Sequence, residues 1–225
     1  MNTTLQSVKI PVAGVVLEAD IVVPEPANGV VLFAHGSGSS RHSTRNRYVA
    51  GELHSAGLAT VLADLLTPSE EQVDARTGEF RFDITLLAVR LAALTDWVSQ
   101  QQQLGHLPIG LFGASTGAAA ALVAAAARPA SVATVVSRGG RPDLAGEFLR
   151  LVYQPTLLIV GERDTTVIEL NRRAMELLPG EARLEIVPRA THLFEEPGTL
   201  EQVAHLARDW FSRHLRRDGP EEAAR

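Results

Sequence analysis

A chain of 225 residues, 45% apolar and 21% charged, has enough material for one α/β domain with a sizeable core. Its net charge of -5 excludes a general attraction to nucleic acid, and the absence of cysteine excludes disulfides, thiolate metal sites and a cysteine nucleophile. The opening MNTTLQSVKIPV lacks the charged start and long apolar core of a signal peptide, and the longest apolar run (118–127) is too short to span a bilayer. The expectation is a cytoplasmic protein that makes no membrane contact.

In chain order, residues 8–10 and 15–23 read as two strands joined by a turn at 11–14, the alternation of Val15, Leu17, Ala19 and Ile21 marking a half-exposed hairpin. VVLFA (30–34) is a continuous apolar run suited to a buried parallel strand, and it opens into the polar loop His35-Gly36-Ser37-Gly38-Ser39-Ser40. A helix is expected over 43–56, ended by Gly57, and a strand over 58–65. Residues 66–82 read as a surface excursion with room for one short helix. Asp83 is placed to cap a long helix running to about 103. Beyond the 107–127 unit come a strand at 132–136, a loop at 137–142, a short helix at 143–151 and a strand at 156–160. A helix at 167–178, a strand at 184–187, a loop at 188–197 and a closing helix at 199–215 complete the domain, leaving 216–225 as a charged, frayed tail. Trp210 and Phe211 on the last helix suit either a core or an interface, so monomer and homodimer both stand. Strands alternating with helices predict a single domain over 1–215. It is built on a mostly parallel twisted sheet with helices on both faces, and ligands bind beyond the carboxyl ends of the strands.

Residues 107–127, LPIGLFGASTGAAAALVAAAA, organise the rest. An apolar strand meets Gly113-Ala114-Ser115-Thr116-Gly117, and an alanine-rich helix follows at once. A serine on so sharp a turn leaves almost no space two residues before or after it, which glycine meets at both places. The Ser115 hydroxyl would stand at a helix N-terminus, where free amides and the dipole favour developing negative charge. A serine hydroxyl needs a base, and the base needs an acid to fix its tautomer. Asp164, just past the strand TLLIV, and His192, just past LEIV, are the candidates, in the order Ser115, Asp164, His192. Each has a plainer reading: Asp164 as a helix cap with Glu162 as rival acid, and His192 as a surface-loop histidine. The oxyanion donors are expected to be the Thr116 amide and, from the loop after VVLFA, the Ser37 amide, with Gly38 the close alternative. His35 is read as shaping that loop through hydrogen bonds.

On VVLFAHGSGSS, GASTG, LLIVGERD and ATHLFEEPG, spread over nearly the whole length, the chain resembles the α/β-hydrolase superfamily, and within it the dienelactone hydrolase-like group. That resemblance implies the α/β-hydrolase fold, a nucleophile–acid–histidine triad and no cofactor. Dienelactone hydrolases proper use a cysteine nucleophile. With serine at 115 the resemblance points instead to a general serine esterase. The connection after the 132–136 strand is also too short for the cap domain common among lipases.

Arg138 and Arg141, in SRGGRPD, are candidates to meet a substrate carboxylate or phosphate; the alternative is a salt-bridged turn. Arg41, Arg45 and Arg47 are read against a solvated helix face. No Walker motif, no metal-ligand spacing and no aromatic-basic stripe occurs, so no metal, nucleotide or nucleic-acid partner is expected. The functional expectation is a serine carboxylesterase for small soluble esters. An acyltransferase using the same three residues and a non-catalytic hydrolase-like binding domain are the alternatives.

Overall fold

The structure, a computed structural model, describes residues 4–215; the tail expected at 216–225 lies outside the described residues. Eight strands form one sheet in the order β1-β2-β4-β3-β5-β6-β7-β8. They are β1 (Thr4–Val12), β2 (Val15–Val23), β3 (Gly29–Ala34), β4 (Leu58–Ala63), β5 (Ile109–Ala114), β6 (Val132–Arg138), β7 (Thr156–Gly161) and β8 (Ala182–Val187). β2 pairs antiparallel with β1 and with β4, and every other pairing is parallel.

The central strands are buried on both faces, and their side chains divide with a period of two. In β3, Val30, Leu32 and Ala34 enter one hydrophobic cluster, while Val31 and Phe33 enter the other. Helices α3 (Ile84–Ser99) and α4 (Thr116–Ala127) cover the first face. Helices α1 (Thr44–Ser55) and α6 (Thr199–His214) cover the second, where Phe33 and Phe112 stack with centroids 4.8 Å apart. The remaining helices are α2 (Pro68–Thr77) and α5 (Thr165–Leu177). Every side chain from Ala118 to Leu122 is fully buried. Such short side chains let the α4 backbone lie close on the sheet, and that closeness fixes the height of the turn before it. Trp210 and Phe211 pack into the second cluster and are core residues of the one chain.

The excursion at 66–82 holds α2. Thr67 caps it in a reciprocal capping box with Glu70, whose carboxylate also takes both terminal nitrogens of the buried Arg90, at 2.6 and 2.7 Å. Asp83 caps α3 as expected, accepting from the Leu86 amide at 2.9 Å. Two expectations need correction. In place of the 143–151 helix, Pro142–Leu151 holds two short 3-10 segments separated at Gly146 (φ 55, ψ -135), which breaks the helical path. The loop expected at 137–142 starts two residues late, since β6 keeps pairing with β5 and β7 through Arg138.

Candidate active site

The carboxyl ends of β3, β5, β6, β7 and β8 carry the predicted catalytic and oxyanion residues together with Arg138 and Arg141. Ser115 joins β5 to α4 at φ 51, ψ -121, a left-handed conformation that costs a non-glycine residue roughly 1–3 kcal/mol. The flanking glycines are required sterically. A Cβ on Gly113 would lie 2.4 Å from the Ala118 Cα, and one on Gly117 would lie 2.3 Å from the Ala34 carbonyl oxygen. The Ser115 amide donates to the Arg138 carbonyl at 3.2 Å, tying the turn to the end of β6. Among the described residues the Ser115 hydroxyl has no hydrogen-bond partner.

His192 Nδ1 donates to Asp164 Oδ2 at 2.6 Å across 28 residues of chain. Asp164 stands at the N-cap of α5 yet makes no side-chain cap bond, so its carboxylate is held by the imidazole instead. The rival acid, Glu162, accepts from the Arg189 amide at 2.7 Å and so braces the histidine loop from below. Glu196 accepts from the Thr191 amide at 3.0 Å, a bond that holds its carboxyl below the usual range. Arg189 and Phe194 both take positive φ, which bends the loop over the sheet. A Cβ on Gly139 would lie 3.5 Å from the His192 Cε1. The imidazole and Ser115 therefore flank the same 138–139 peptide.

The Thr116 and Ser37 residues meet through their hydroxyls, 3.1 Å apart. Ser37 and Gly38 occupy the middle of a turn closed by the Ser39 amide on the Gly36 carbonyl at 3.1 Å; Gly38 supplies the positive φ (66) such a turn needs at its third residue. Among the described residues the amides of Thr116, Ser37 and Gly38 bond to no carbonyl. His35 shapes this loop: its Nε2 accepts from the Leu65 amide at 3.0 Å and its Nδ1 donates to the Gly36 carbonyl at 3.0 Å. Burial lowers its pKa, and both contacts suit the neutral ring. Arg41 anchors the far end of the loop, pairing with Asp64 and with Glu18 Oε2 at 2.6 Å, while Arg47 reaches Asp20 at 2.8 Å. Those two arginines are ion-paired to the middle of β2 and the end of β4 rather than forming a solvated face.

The arginine candidates part company. Arg141 is held by Asp143 in a two-pronged pair at 2.7 and 2.8 Å, the salt-bridged turn. Arg138 is 7% exposed and shares the parity of Val136, so it faces α1 and the histidine loop. Its guanidinium lies 6.0 Å from the Phe194 ring centroid and donates to Asn46 Oδ1 at 3.3 Å; among the described residues no carboxylate pairs with it and its Nε is unpartnered. Burial, with the charge of Arg45 adding to it, brings its pKa down to about 10. A cavity of about 530 Å³ abuts the Ser115 turn through Gly36 and Thr116; neither Ser115, His192, Arg138 nor Arg141 is on its wall. Its far side is α2 and the segment after it, with Glu71, Asp74 and Arg81. No sequence pattern singled out these three; the Thr67–Glu70 spacing of a capping box is the signal that could have found the helix carrying two of them. Among the described residues no cluster of His, Cys, Asp or Glu could hold a metal ion, and no helix is long and apolar enough to cross a membrane.

The family model for the alpha/beta hydrolase fold matches residues 29–218. The chain belongs to that family. Among solved structures, this alpha/beta hydrolase is 57% identical to a dienelactone hydrolase from Anabaena variabilis, with a TM-score of 0.93 over 95% of this chain and 99% of that one. Est1E from Butyrivibrio proteoclasticus matches with a TM-score of 0.77 over 93% of this chain and 98% of that one; at 15% identity it speaks for the fold alone. Two curated proteins from Mycobacterium tuberculosis strains, each provisionally named a phosphoribosyl transferase, are 60% identical over 211 residues. The match takes in 94% of this chain and 46% of theirs, so the hydrolase chain spans less than half the length of those relatives.

Proposed function

We propose that the chain is a serine hydrolase that cleaves carboxylic esters of small soluble substrates through an acyl-enzyme. The observation that carries this reading is the 2.6 Å His192–Asp164 bond beside a strained serine at a strand-to-helix turn. With Nδ1 donating to Asp164, the imidazole presents Nε2 as an acceptor, the tautomer needed to take the Ser115 proton. Ser115 Oγ then attacks the ester carbonyl, and the oxyanion accepts hydrogen bonds from the Thr116 and Ser37 amides. His192 returns the proton to the leaving alcohol, and a water activated by the same ring releases the acid. The open serine hydroxyl is compatible with this sequence, because catalytic hydrogen bonds commonly tighten only when substrate is bound. Arg138 and Arg141 have no place in this scheme, being held by Phe194 and Asn46 and by Asp143. Ser115→Ala should abolish turnover of a short p-nitrophenyl ester and labelling by a fluorophosphonate while leaving the circular dichroism spectrum unchanged. Retention of either activity in a folded variant would remove Ser115 from the mechanism.

A further inference from the structure

The cavity next to Ser115 has an uneven distribution of charge. Asp74 and Arg81 on its wall neutralise one another. The Arg81 Nε donates to Asp74 Oδ2 at 2.9 Å, and Oδ1 of the same carboxylate accepts from the amides of Phe80 and Arg81 at 2.8 Å each. His42 accepts from Arg47 at 2.8 Å through Nδ1. Glu71 differs from all of these. It is half-buried on the first turn of α2, and among the described residues its carboxylate has no hydrogen bond and no ion pair. Its neighbour Glu70 turns away to Arg90 and Thr67, so the capping box that starts the helix also sends Glu71 to the cavity side. Burial raises its pKa, and the charges of Asp64 and Asp74 raise it further against the opposing pull of Arg41.

A partly desolvated carboxylate with no cation in hydrogen-bonding contact is costly for the fold, and an arriving cation would relieve that cost. Apart from the Thr116 and Ser37 amides assigned to the oxyanion, the rest of the wall offers an anion little. Arg81 is committed to Asp74, and the two arginines nearest the turn, Arg138 and Arg141, lie off the wall. Hydroxyl groups of Ser39 and Thr44 add neutral, hydrogen-bonding surface.

We propose that this cavity selects esters bearing an ammonium group, with Glu71 as the counter-ion that binds it. The proposal rests on the ester-hydrolase reading above, and it makes Glu71 a specificity-determining residue outside the chemical steps. The charge favours a cation and disfavours a carboxylate at the same place, so selection works in both directions.

The test uses three p-nitrophenyl esters of matched length whose acyl chains end in ammonium, methyl or carboxylate. A second set carries the same three groups on the alcohol arm. In the wild type, kcat/KM in at least one set should fall in the order ammonium, methyl, carboxylate, with the ammonium ester at least about tenfold above its methyl analogue at low salt. Glu71→Gln should bring that ratio to within about twofold of one and leave the methyl ester within about twofold of wild type, which also reports an intact fold. A preference for carboxylate esters, or an ammonium-to-methyl ratio unchanged in Glu71→Gln, overturns the proposal. Should no ester be turned over at all, the hydrolase reading fails separately. Butylammonium still tests Glu71 in that case: it should raise the Tm of the wild type but not of Glu71→Gln, and an equal rise in both overturns the site.

Discussion

Asp164→Asn isolates the part of the site that the fold builds most deliberately. The Asp164 carboxylate accepts the His192 Nδ1 proton at 2.6 Å; in the proposed mechanism this short bond would hold Nε2 free as a base and stabilise the imidazolium formed when Ser115 gives up its proton. An asparagine amide at that distance can donate to Nδ1 and so favour the opposite tautomer, in which Nε2 carries the proton and cannot take another. The expected loss is about 10⁴ in kcat, equivalent to ~5.5 kcal/mol of transition-state stabilisation, with a much smaller change in KM. The control is Glu162→Gln. Glu162 holds the same loop through the Arg189 amide and never touches the ring, so its loss should stay within about tenfold. Steady-state kinetics on one p-nitrophenyl ester, with circular dichroism to verify folding, decides the matter. A loss under tenfold for Asp164→Asn, or equal losses for the two variants, would refute the assignment of the acid.

Two further outcomes concern the scaffold. Gly117→Ala puts a methyl 2.3 Å from the Ala34 carbonyl and 2.5 Å from that of His35, both backbone atoms that move only with the loop. Overpacking of ~1–3 kcal/mol should outweigh the ~1 kcal/mol gained in helix propensity, so the urea midpoint should fall and esterase activity with it. The bonds from Arg90, with those from Thr67 behind them, lower the Glu70 pKa from 4.5 to about 2. A depressed carboxyl contributes stability that is present above pH 4.5 and lost as pH falls through about 2. The contribution is at most ~3 kcal/mol, reduced to ~1–2 by screening at a partly exposed carboxylate. Glu70→Gln should therefore be less stable than wild type at neutral pH, and urea titrations should show that gap closing in acid; a gap independent of pH would be contrary to the linkage.

Most of the frame was legible because its signals are local and steric. The apolar run VVLFA, the glycines two residues either side of Ser115 and the Asp83 cap each follow from one short stretch, and each was found where expected. Other features depend on contacts between distant residues. Arg138 read as a loop residue, to meet a substrate or to sit in a salt-bridged turn, because nothing in SRGGRPD reveals that β6 pairs for two residues longer. Once it does, Arg138 must share the side of Val136 and turn toward Phe194. Glu71 was invisible for a related reason: one acid among several on a polar segment acquires meaning only when Arg90, 20 residues beyond its neighbour Glu70, fixes which face of α2 looks inward.

The histidine loop leaves 39% of the His192 side chain open to solvent. If the proposed acyl-enzyme forms, an imidazole so placed would be in contact with the bulk liquid throughout its life. Any rival acceptor would have to be concentrated at that spot by a subsite of its own. In the proposed mechanism, that exposure would favour water over a larger acceptor as the group that takes the acyl chain.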